Sequence, residues 1–167
     1  MYEKITLEDK KRIEEEIRHR KLEVRPKALE DVQEARAHGD LSENFEYKAA
    51  KQFKNQNESR IRYLERTLKY AQIIDSNSKE GEVGVNTIVK LYFPEDDEEE
   101  TYKIVTSMRG DSLKNRISIE SPLGKSLQHH KTNDKVNIKV NDNYNYDVII
   151  KDIKKFKDDG TDELRKY

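Results

Sequence analysis

Two long stretches in the first half of the chain repeat apolar residues mostly at spacings of three or four, with one step of seven in the first stretch and one of eight in the second. Such a narrow stripe is typical of a coiled-coil seam, whereas a core helix usually carries a broader apolar face. The spacing therefore predicts two long helices that pack along their seams. The apolar positions are Ile13, Ile17, Val24, Ala28, Val32 and Ala35 in the first stretch and Ala49, Phe53, Ile61, Leu64, Leu68 and Ala71 in the second.

The segment between the two stretches, EARAHGDLSENFEYKAAK (Glu34–Lys51), predicts a hairpin turn. Gly39 suits the left-handed residue that follows a helix, and Asp40-Leu41-Ser42-Glu43 has the pattern of a capping box that opens the next helix. Folding the chain at residues 40–41 brings the two stripes into register. The facing pairs are then Ile13 with Leu68, Ile17 with Leu64, and Ala28 with Phe53.

The predicted hairpin is long and thin. At about 1.5 Å of rise per residue, helices of roughly thirty residues give an arm on the order of 45 Å. Pro26 lies inside the first helix, where it removes one N–H donor and crowds the preceding turn, so we expect a kink or a break there. An arm of this shape suits a device that presents its tip inside something narrow, although a coiled-coil scaffold or dimer is the commoner use of the pattern.

Beyond about residue 80 the apolar residues alternate, which is typical of β-strands. Ser121 as N-cap and Pro122 at the first helical position predict one short helix among the strands. The predicted fold class is α+β, with a coiled-coil arm bearing an acidic tip at residues 1–75, a linker at 76–80, a small sheet domain at 81–157 and a charged tail at 158–167. The predicted strands are Thr87–Phe93, Thr101–Val105, Arg116–Glu120, Lys135–Val140 and Tyr144–Ile150, with an acidic hairpin loop at 94–100.

The amino-acid composition is consistent with an extended arm and excludes some classes of function. Only 33% of the residues are hydrophobic and 40% are charged, which is sparse for one compact globule. The formal net charge of −1 argues against non-specific binding to duplex nucleic acid, which needs a broad basic face. The chain has no cysteine, and neither a signal peptide nor an apolar membrane span is recognisable, so a soluble cytoplasmic protein is expected.

The tip carries the one candidate for chemistry, the carboxylates of Asp40 and Glu43. Carboxylates can hold Mg²⁺ through one or two direct contacts while waters and substrate phosphates complete the shell. Two exposed carboxylates alone should bind the ion too weakly to act, so an arm could instead deliver them to another enzyme's active site. The alternative is that Asp40 and Glu43 only cap a helix.

Basic residues lie close to the predicted tip on both helices. Arg36 belongs to the first helix, and Lys48 and Lys51 follow on one side of the second. They predict a contact with the end of an RNA strand or with acidic protein walls. A solvated helix face is the alternative, because both helices also carry many acids.

The tip motif, together with Arg25-Pro26 before it and Arg60-Ile61 after it, resembles the bacterial transcript cleavage factors of the Gre family, GreA type. In the second half, Ser121-Pro122-Leu123-Gly124-Lys125-Ser126-Leu127 followed by Asn133-Asp134-Lys135-Val136 resembles the same family's C-terminal domain. The resemblance covers essentially residues 5–153.

The resemblance implies an antiparallel coiled coil joined to an FKBP-like domain without isomerase activity. It implies a monomer whose partners are bacterial RNA polymerase and the nascent RNA 3′ end, with no membrane partner and no cofactor of its own. Polymerase itself would hydrolyse the backtracked RNA, using Mg²⁺ in its active site. The implied roles are catalysis and metal binding for Asp40 and Glu43; tip support for Gly39, Leu41, Ser42, Asn44, Phe45 and Tyr47; RNA or channel contact for Arg36, Lys48 and Lys51; and polymerase docking for Ser121, Pro122, Leu123, Gly124 and Lys125.

This sequence departs from the family pattern at several positions. Phe45 stands where the family commonly has alanine, and residues 52–57 lack the usual glutamate-glutamine-glycine run. The tail from Lys154 onwards extends past the normal end, and His129-His130 replace smaller residues. A Gre-like channel binder that inhibits transcription or competes with cleavage factors is therefore the second hypothesis, and a chaperone or scaffold coiled coil is the third.

Overall fold

The computed structural model describes residues 2–39, 44–76 and 78–166, and these form two compact units. One unit is the helical segment Lys10–Ala71, and the other combines Glu3–Asp9 with Gln72–Tyr167. The sequence placed residues 1–75 in the arm, whereas the contacts group Glu3–Asp9 with the sheet. Within the described part of the chain, no helix is long and apolar enough to cross a membrane.

The helices around the hairpin are α1 (Leu7–His19), α2 (Arg25–Ala37) and α3 (Phe45–Tyr70). A π-helical turn at Arg20–Val24 joins α1 to α2, and the Arg25 N–H donates to the carbonyl of Arg20. Pro26 cannot donate to a carbonyl one turn back and its ring crowds that position, which a widened turn relieves. The chain therefore stays helical through Pro26, and the predicted disturbance takes the form of a π turn without a break.

The seam of the helical unit follows the predicted apolar stripe on α1 and α2. On α3 it departs from the predicted stripe at one position. Ile13 and Ala28 are buried, and so are Ile61 and Leu64. Phe53, however, is 52% exposed, so its predicted place opposite Ala28 is wrong. The polar Asn57, four residues after Phe53 in α3, is buried instead.

A polar cluster explains why Asn57 turns inward. The Arg20 guanidinium donates to Asn57 Oδ1 at 3.0 Å, and Asn57 Nδ2 donates to the Arg20 carbonyl at 3.3 Å. Glu16 accepts hydrogen bonds from Arg20 and from Arg60, at 2.8 and 2.7 Å. Burial raises the pKa of Glu16, but the hydrogen bonds and charges of Arg60 and Arg20 outweigh it and hold the pKa below its ordinary value. Hydrogen bonds and charges thus close the middle of the seam.

The sheet unit contains a five-stranded mixed sheet in the order β5-β4-β3-β7-β6. Only β4 and β5 pair in parallel, and the other neighbours are antiparallel. This arrangement confirms the predicted α+β class. The strands are β3 (Thr87–Phe93), β4 (Glu98–Val105), β5 (Arg116–Ser118), β6 (Lys135–Asn141) and β7 (Tyr144–Lys155), preceded by a short parallel pair of β1 (Lys4–Ile5) and β2 (Gln72–Ile73).

The short helix α4 spans Pro122–Leu127, as the sequence predicts. Ser121 caps it, because its hydroxyl accepts the Gly124 N–H at 3.0 Å. Gly124 lies so close to the strand that a Cβ there would sit 2.0 Å from the Ser118 carbonyl oxygen. Leu127 of α4 joins the core formed by the inward-facing residues of the sheet, among them Val89, Leu91, Ile104, Val136, Ile138, Val148 and Ile150.

A buried ion cluster joins three distant parts of the chain within the sheet unit. Arg109 is fully buried, and its Nε lies 2.8 Å from an oxygen of Asp9. Its other nitrogens reach Asp162 at 3.2 Å and Asn86 at 2.6 Å. Asp9 is also the third helical residue of α1 and forms a reciprocal capping pair with Thr6, at 3.0 and 3.1 Å. The start of α1 is therefore fixed to the sheet.

The C-terminal tail contributes to the same cluster through Asp162. Its carboxylate is buried and accepts from Lys103 at 2.9 Å and from Arg116 at 3.3 Å, in addition to Arg109. Burial raises the pKa of Asp162, but the hydrogen bonds and charges of these cations outweigh it and leave the pKa below 3.8, its ordinary value. The tail, which the sequence predicted only to be charged, is thus anchored at Asp162.

We predict that Asp162→Asn lowers the free energy of unfolding by about 3 kcal/mol at neutral pH, because it leaves buried cations without their anion. Urea unfolding followed by circular dichroism measures the change. Glu163→Gln is the matched control, since it removes the neighbouring charge from an exposed ion pair with Lys114, and such pairs contribute little.

The loss of stability caused by Asp162→Asn should depend on pH. The pKa of Asp162 is lower in the folded chain than its ordinary 3.8, so its stabilisation is fully present above that pH and is lost as the pH falls through the folded value. The difference between wild type and Asp162→Asn should therefore narrow in acid. A difference that stayed constant from neutral pH down to acid would contradict the role of the ionised carboxylate.

Candidate functional site

The predicted catalytic pair, Asp40 and Glu43, and the supporting residues Leu41 and Ser42 lie outside the described residues. The structure describes both flanks of this four-residue connection. On one side α2 ends at Ala37, and His38 donates its N–H to the Ala35 carbonyl at 3.2 Å. On the other side α3 begins at Phe45. The geometry of these flanks determines how the connection is presented.

Gly39 and Asn44 border the connection, and the local geometry explains why each of these residue types is present. Gly39 has a φ of +139°, a backbone conformation that residues with a side chain rarely adopt. No atom lies within 4 Å of a Cβ built at Gly39, so the backbone angle is what requires glycine. The sequence predicted a positive-φ glycine after the first helix, and the structure agrees.

Asn44 clamps the two helices together at this end of the hairpin. Its side-chain oxygen accepts the Tyr47 N–H at 2.9 Å, which caps α3, and its Nδ2 donates to the Ala35 carbonyl of α2 at 2.6 Å. The N-cap of α3 is therefore Asn44. The predicted capping box of Asp40-Leu41-Ser42-Glu43 lies outside the described residues.

Two aromatic rings organise the predicted basic residues. The Arg36 guanidinium and the Lys51 ammonium each lie 6.0 Å from the centre of the Tyr47 ring. Lys48 lies 5.7 Å from the centre of the Phe45 ring. These distances fall in the range of cation–π attraction. Arg36 and Lys51, which belong to two separate helices, therefore meet on the Tyr47 ring, whose organising role was not predicted, while Lys48 lies against Phe45.

Phe45 adds an exposed aromatic ring to this surface. Its side chain is 78% exposed at the first helical position of α3, so it does not pack into the hairpin. One residue later Glu46 pairs with His38, with 3.2 Å between Oε2 and Nδ1. The described residues that flank positions 40–43 in the sequence therefore combine an exposed aromatic ring, three basic side chains and one histidine–carboxylate pair.

The predicted docking segment divides into structural and exposed residues. Ser121 caps α4, Leu123 packs against the core, and Gly124 is buried against the strand. Pro122 and Lys125 are exposed, and Lys125 lies 3.9 Å from Glu120 across the surface. Of the five residues assigned to docking, only these two present exposed side chains to a partner.

Within the ranges 2–39, 44–76 and 78–166, no group of three or more His, Cys, Asp or Glu side chains could hold a metal ion. Asp40 and Glu43 lie outside these ranges. Their carboxylate oxygens are of the kind that Mg²⁺ prefers.

Comparison with known proteins places this architecture in a family. Residues 3–73 match the family described as "Transcription elongation factor, N-terminal", and residues 77–155 match "Transcription elongation factor, GreA/GreB, C-term". The two matches together span most of the chain, which belongs to the GreA/GreB family of transcription elongation factors. The resemblance deduced from the tip and α4 motifs is thereby confirmed.

Individual relatives agree over most of their length. The transcription elongation factor GreA of Oenococcus oeni is 43% identical over 135 residues, covering 80% of this chain and 83% of that protein. The protein of the same name from Streptococcus pneumoniae (strain G54) is 39% identical over 152 residues, covering 90% and 94%. Among solved structures, the transcription factor Gfh1 covers 92% of this chain and 97% of its own, with 26% identity and a TM-score of 0.46.

We predict that Asn44→Ala destabilises the helical unit by about 1 kcal/mol or more, because it removes the cap of α3 and the bond to α2 together. The Tyr47 amide should also exchange with solvent faster, which hydrogen exchange measures at that residue. Asn55→Ala is the control: Asn55 lies exposed within α3, where alanine favours the helix by a few tenths of a kcal/mol. Equal stability of the Asn44 and Asn55 variants would contradict the clamp.

Proposed function

We propose that this chain stimulates cleavage of backtracked RNA by RNA polymerase, and that Asp40 and Glu43 are the residues that do so. Its partners are bacterial RNA polymerase, whose secondary channel admits the hairpin, and the RNA 3′ end. The observation that carries the proposal is the cation–aromatic surface of Arg36, Tyr47 and Lys51, whose residues flank the two acids in the sequence. Family membership supports the general role in transcription elongation.

The two acids fit a shared metal site better than a site of their own. A pair of carboxylates supplies two hard oxygen ligands, which is fewer than Mg²⁺ requires, so the remaining ligands must come from the polymerase, water and RNA phosphates. When bound there, the ion supplies charge stabilisation and a more acidic water. Asp40 and Glu43 would raise the occupancy of that ion, and the chain would have no hydrolytic activity alone.

The basic side chains have a separate task in this proposal. Arg36, Lys48 and Lys51 bring positive charge next to two carboxylates that would otherwise repel an RNA phosphate. Tyr47 limits the movement of Arg36 and Lys51, so less conformational freedom is lost when they meet the RNA. The exposed ring of Phe45 offers a face for a base, because stacking on an aromatic side chain accepts any base.

The sheet unit would provide the docking surface. Pro122 and Lys125, on the exposed side of α4, supply the contact, while Ser121, Leu123 and Gly124 hold α4 in place. Changing Pro122 or Lys125 should therefore weaken polymerase binding without affecting the fold. Changing Ser121, Leu123 or Gly124 should disturb the fold itself.

We predict that Asp40→Ala and Glu43→Ala each abolish stimulated cleavage while leaving polymerase binding nearly unchanged, because the acids act on the ion and contribute little to docking. The measurement is release of short 3′ RNA fragments from a stalled, backtracked complex of the cognate polymerase in Mg²⁺. Glu46→Ala is the matched control: it removes an exposed acid three residues further on, whose described partner is His38. It should cleave like wild type.

Wild-type cleavage by either Asp40→Ala or Glu43→Ala would contradict the metal role. The exposed Phe45 favours a second function, a Gre-like channel binder that blocks nucleotide addition, since a large ring would stand beside the RNA end. In that case the wild type would bind the polymerase without accelerating cleavage, and Phe45→Ala would relieve the block.

A further inference from the structure

A cavity of about 230 Å³ lies in the sheet unit, where β3 runs into its turn and β7 begins. It is separate from the hairpin tip, and none of its lining residues belongs to the docking segment Ser121–Lys125. Half of the residues that line it are aromatic and half are acidic, and none of those described is basic. The lining residues are Phe93, Tyr144, Tyr146, Glu95, Asp96 and Asp147.

The aromatic side of the cavity is held in place by the core. The rings of Phe93 and Tyr146 stack with their centres 6.1 Å apart, and the Tyr144 ring lies 5.8 Å from Tyr146. Phe93, Tyr102 and Tyr146 pack against the buried residues of the sheet, so this wall is formed before any ligand arrives. Burial raises the pKa of the Tyr102 and Tyr146 phenols, which keeps both rings neutral at neutral pH.

The acidic side faces solvent. Glu95 and Asp96 belong to the turn after β3, within a seven-residue stretch, residues 94–100, that contains six acids. Asp147 is oriented by Asn137, whose Nδ2 donates to it at 2.9 Å, and it lies 3.7 Å from the ammonium of Lys135 outside the cavity. Three carboxylates around one small cavity attract cations and repel anions.

We propose that this cavity binds the guanidinium group of an arginine side chain on a partner protein. A planar guanidinium stacks on aromatic faces and can donate hydrogen bonds to two carboxylates at once, and it loses less hydration than an ammonium. A neutral apolar group would leave the carboxylates without a counter-charge. The cavity is below the usual volume range of sites for whole small-molecule ligands, about 300–1,000 Å³, and suits a single side chain. The proposal is independent of the cleavage function.

The test uses the full-length chain and N-acetyl-arginine methylamide as the probe, followed by two-dimensional NMR of backbone amides. Matched probes are the lysine derivative and the citrulline derivative, which keeps the shape of arginine but is uncharged. Glu95→Gln combined with Asp96→Asn removes two exposed charges without touching the core. Tyr146→Leu removes one ring of the cavity. Tyr70→Leu is the control, because it removes a partly exposed ring from the end of α3, outside the sheet unit.

We expect saturable shifts at the amides of Phe93–Asp97 and Tyr144–Asp147 with arginine, weaker ones with lysine and none with citrulline. Tyr146→Leu should weaken binding about two- to fivefold, and Tyr70→Leu should leave it unchanged. The double acid variant should also bind more weakly, and its binding should depend less on salt than that of the wild type. Equal shifts with citrulline, unchanged binding by the acid variant, or lysine binding as tightly as arginine would overturn the assignment.

Discussion

The sheet unit depends on the ionic contacts of one buried side chain, the guanidinium of Arg109. Asp9 arrives from the first turn of α1, Asp162 from the C-terminal tail and Asn86 from the start of β3, and all three meet this single cation. A buried charge without its partners is costly, so the cluster is stable only when all of these segments are in place. Residues far apart in sequence are thereby required to fold together, including a tail that lies beyond the matched family domain.

In the helical unit, too, hydrogen-bonded polar and charged side chains hold distant parts of the chain together. Its seam is apolar at Ile13 and Ile61 but passes through the cluster of Glu16, Arg20 and Asn57. The π turn lies next to this cluster, and together they carry the chain past Pro26 without breaking the helix. At the far end Asn44 makes one bond to each helix. Polar groups fix the two helices to each other, whereas the apolar contacts are spread along the seam.

Sequence reasoning predicted what has a local cause. The alternation of apolar residues gave β3 with both of its ends, and the Ser121-Pro122 pattern gave α4, because strand faces and helix caps are set by neighbouring residues. It failed where the cause is a distant partner. Phe53 was assigned to the seam because it is apolar, whereas hydrogen bonds across the hairpin select Asn57. The pairing of Asp162 with Arg109 likewise leaves no periodic signal. For the candidate site, the basic residues were found from their position near the tip, but their arrangement around Tyr47 was not.

The central claim is that the hairpin tip reaches the RNA 3′ end inside the polymerase. Its most direct test is a photo-reactive benzoylphenylalanine in place of Phe45, whose side chain is exposed next to the tip acids. In backtracked complexes the probe should crosslink to the extruded 3′ segment of the RNA, and this RNA crosslink should disappear in complexes that have not backtracked. Crosslinks only to polymerase, with no RNA labelled in backtracked complexes that bind the factor, would contradict the account.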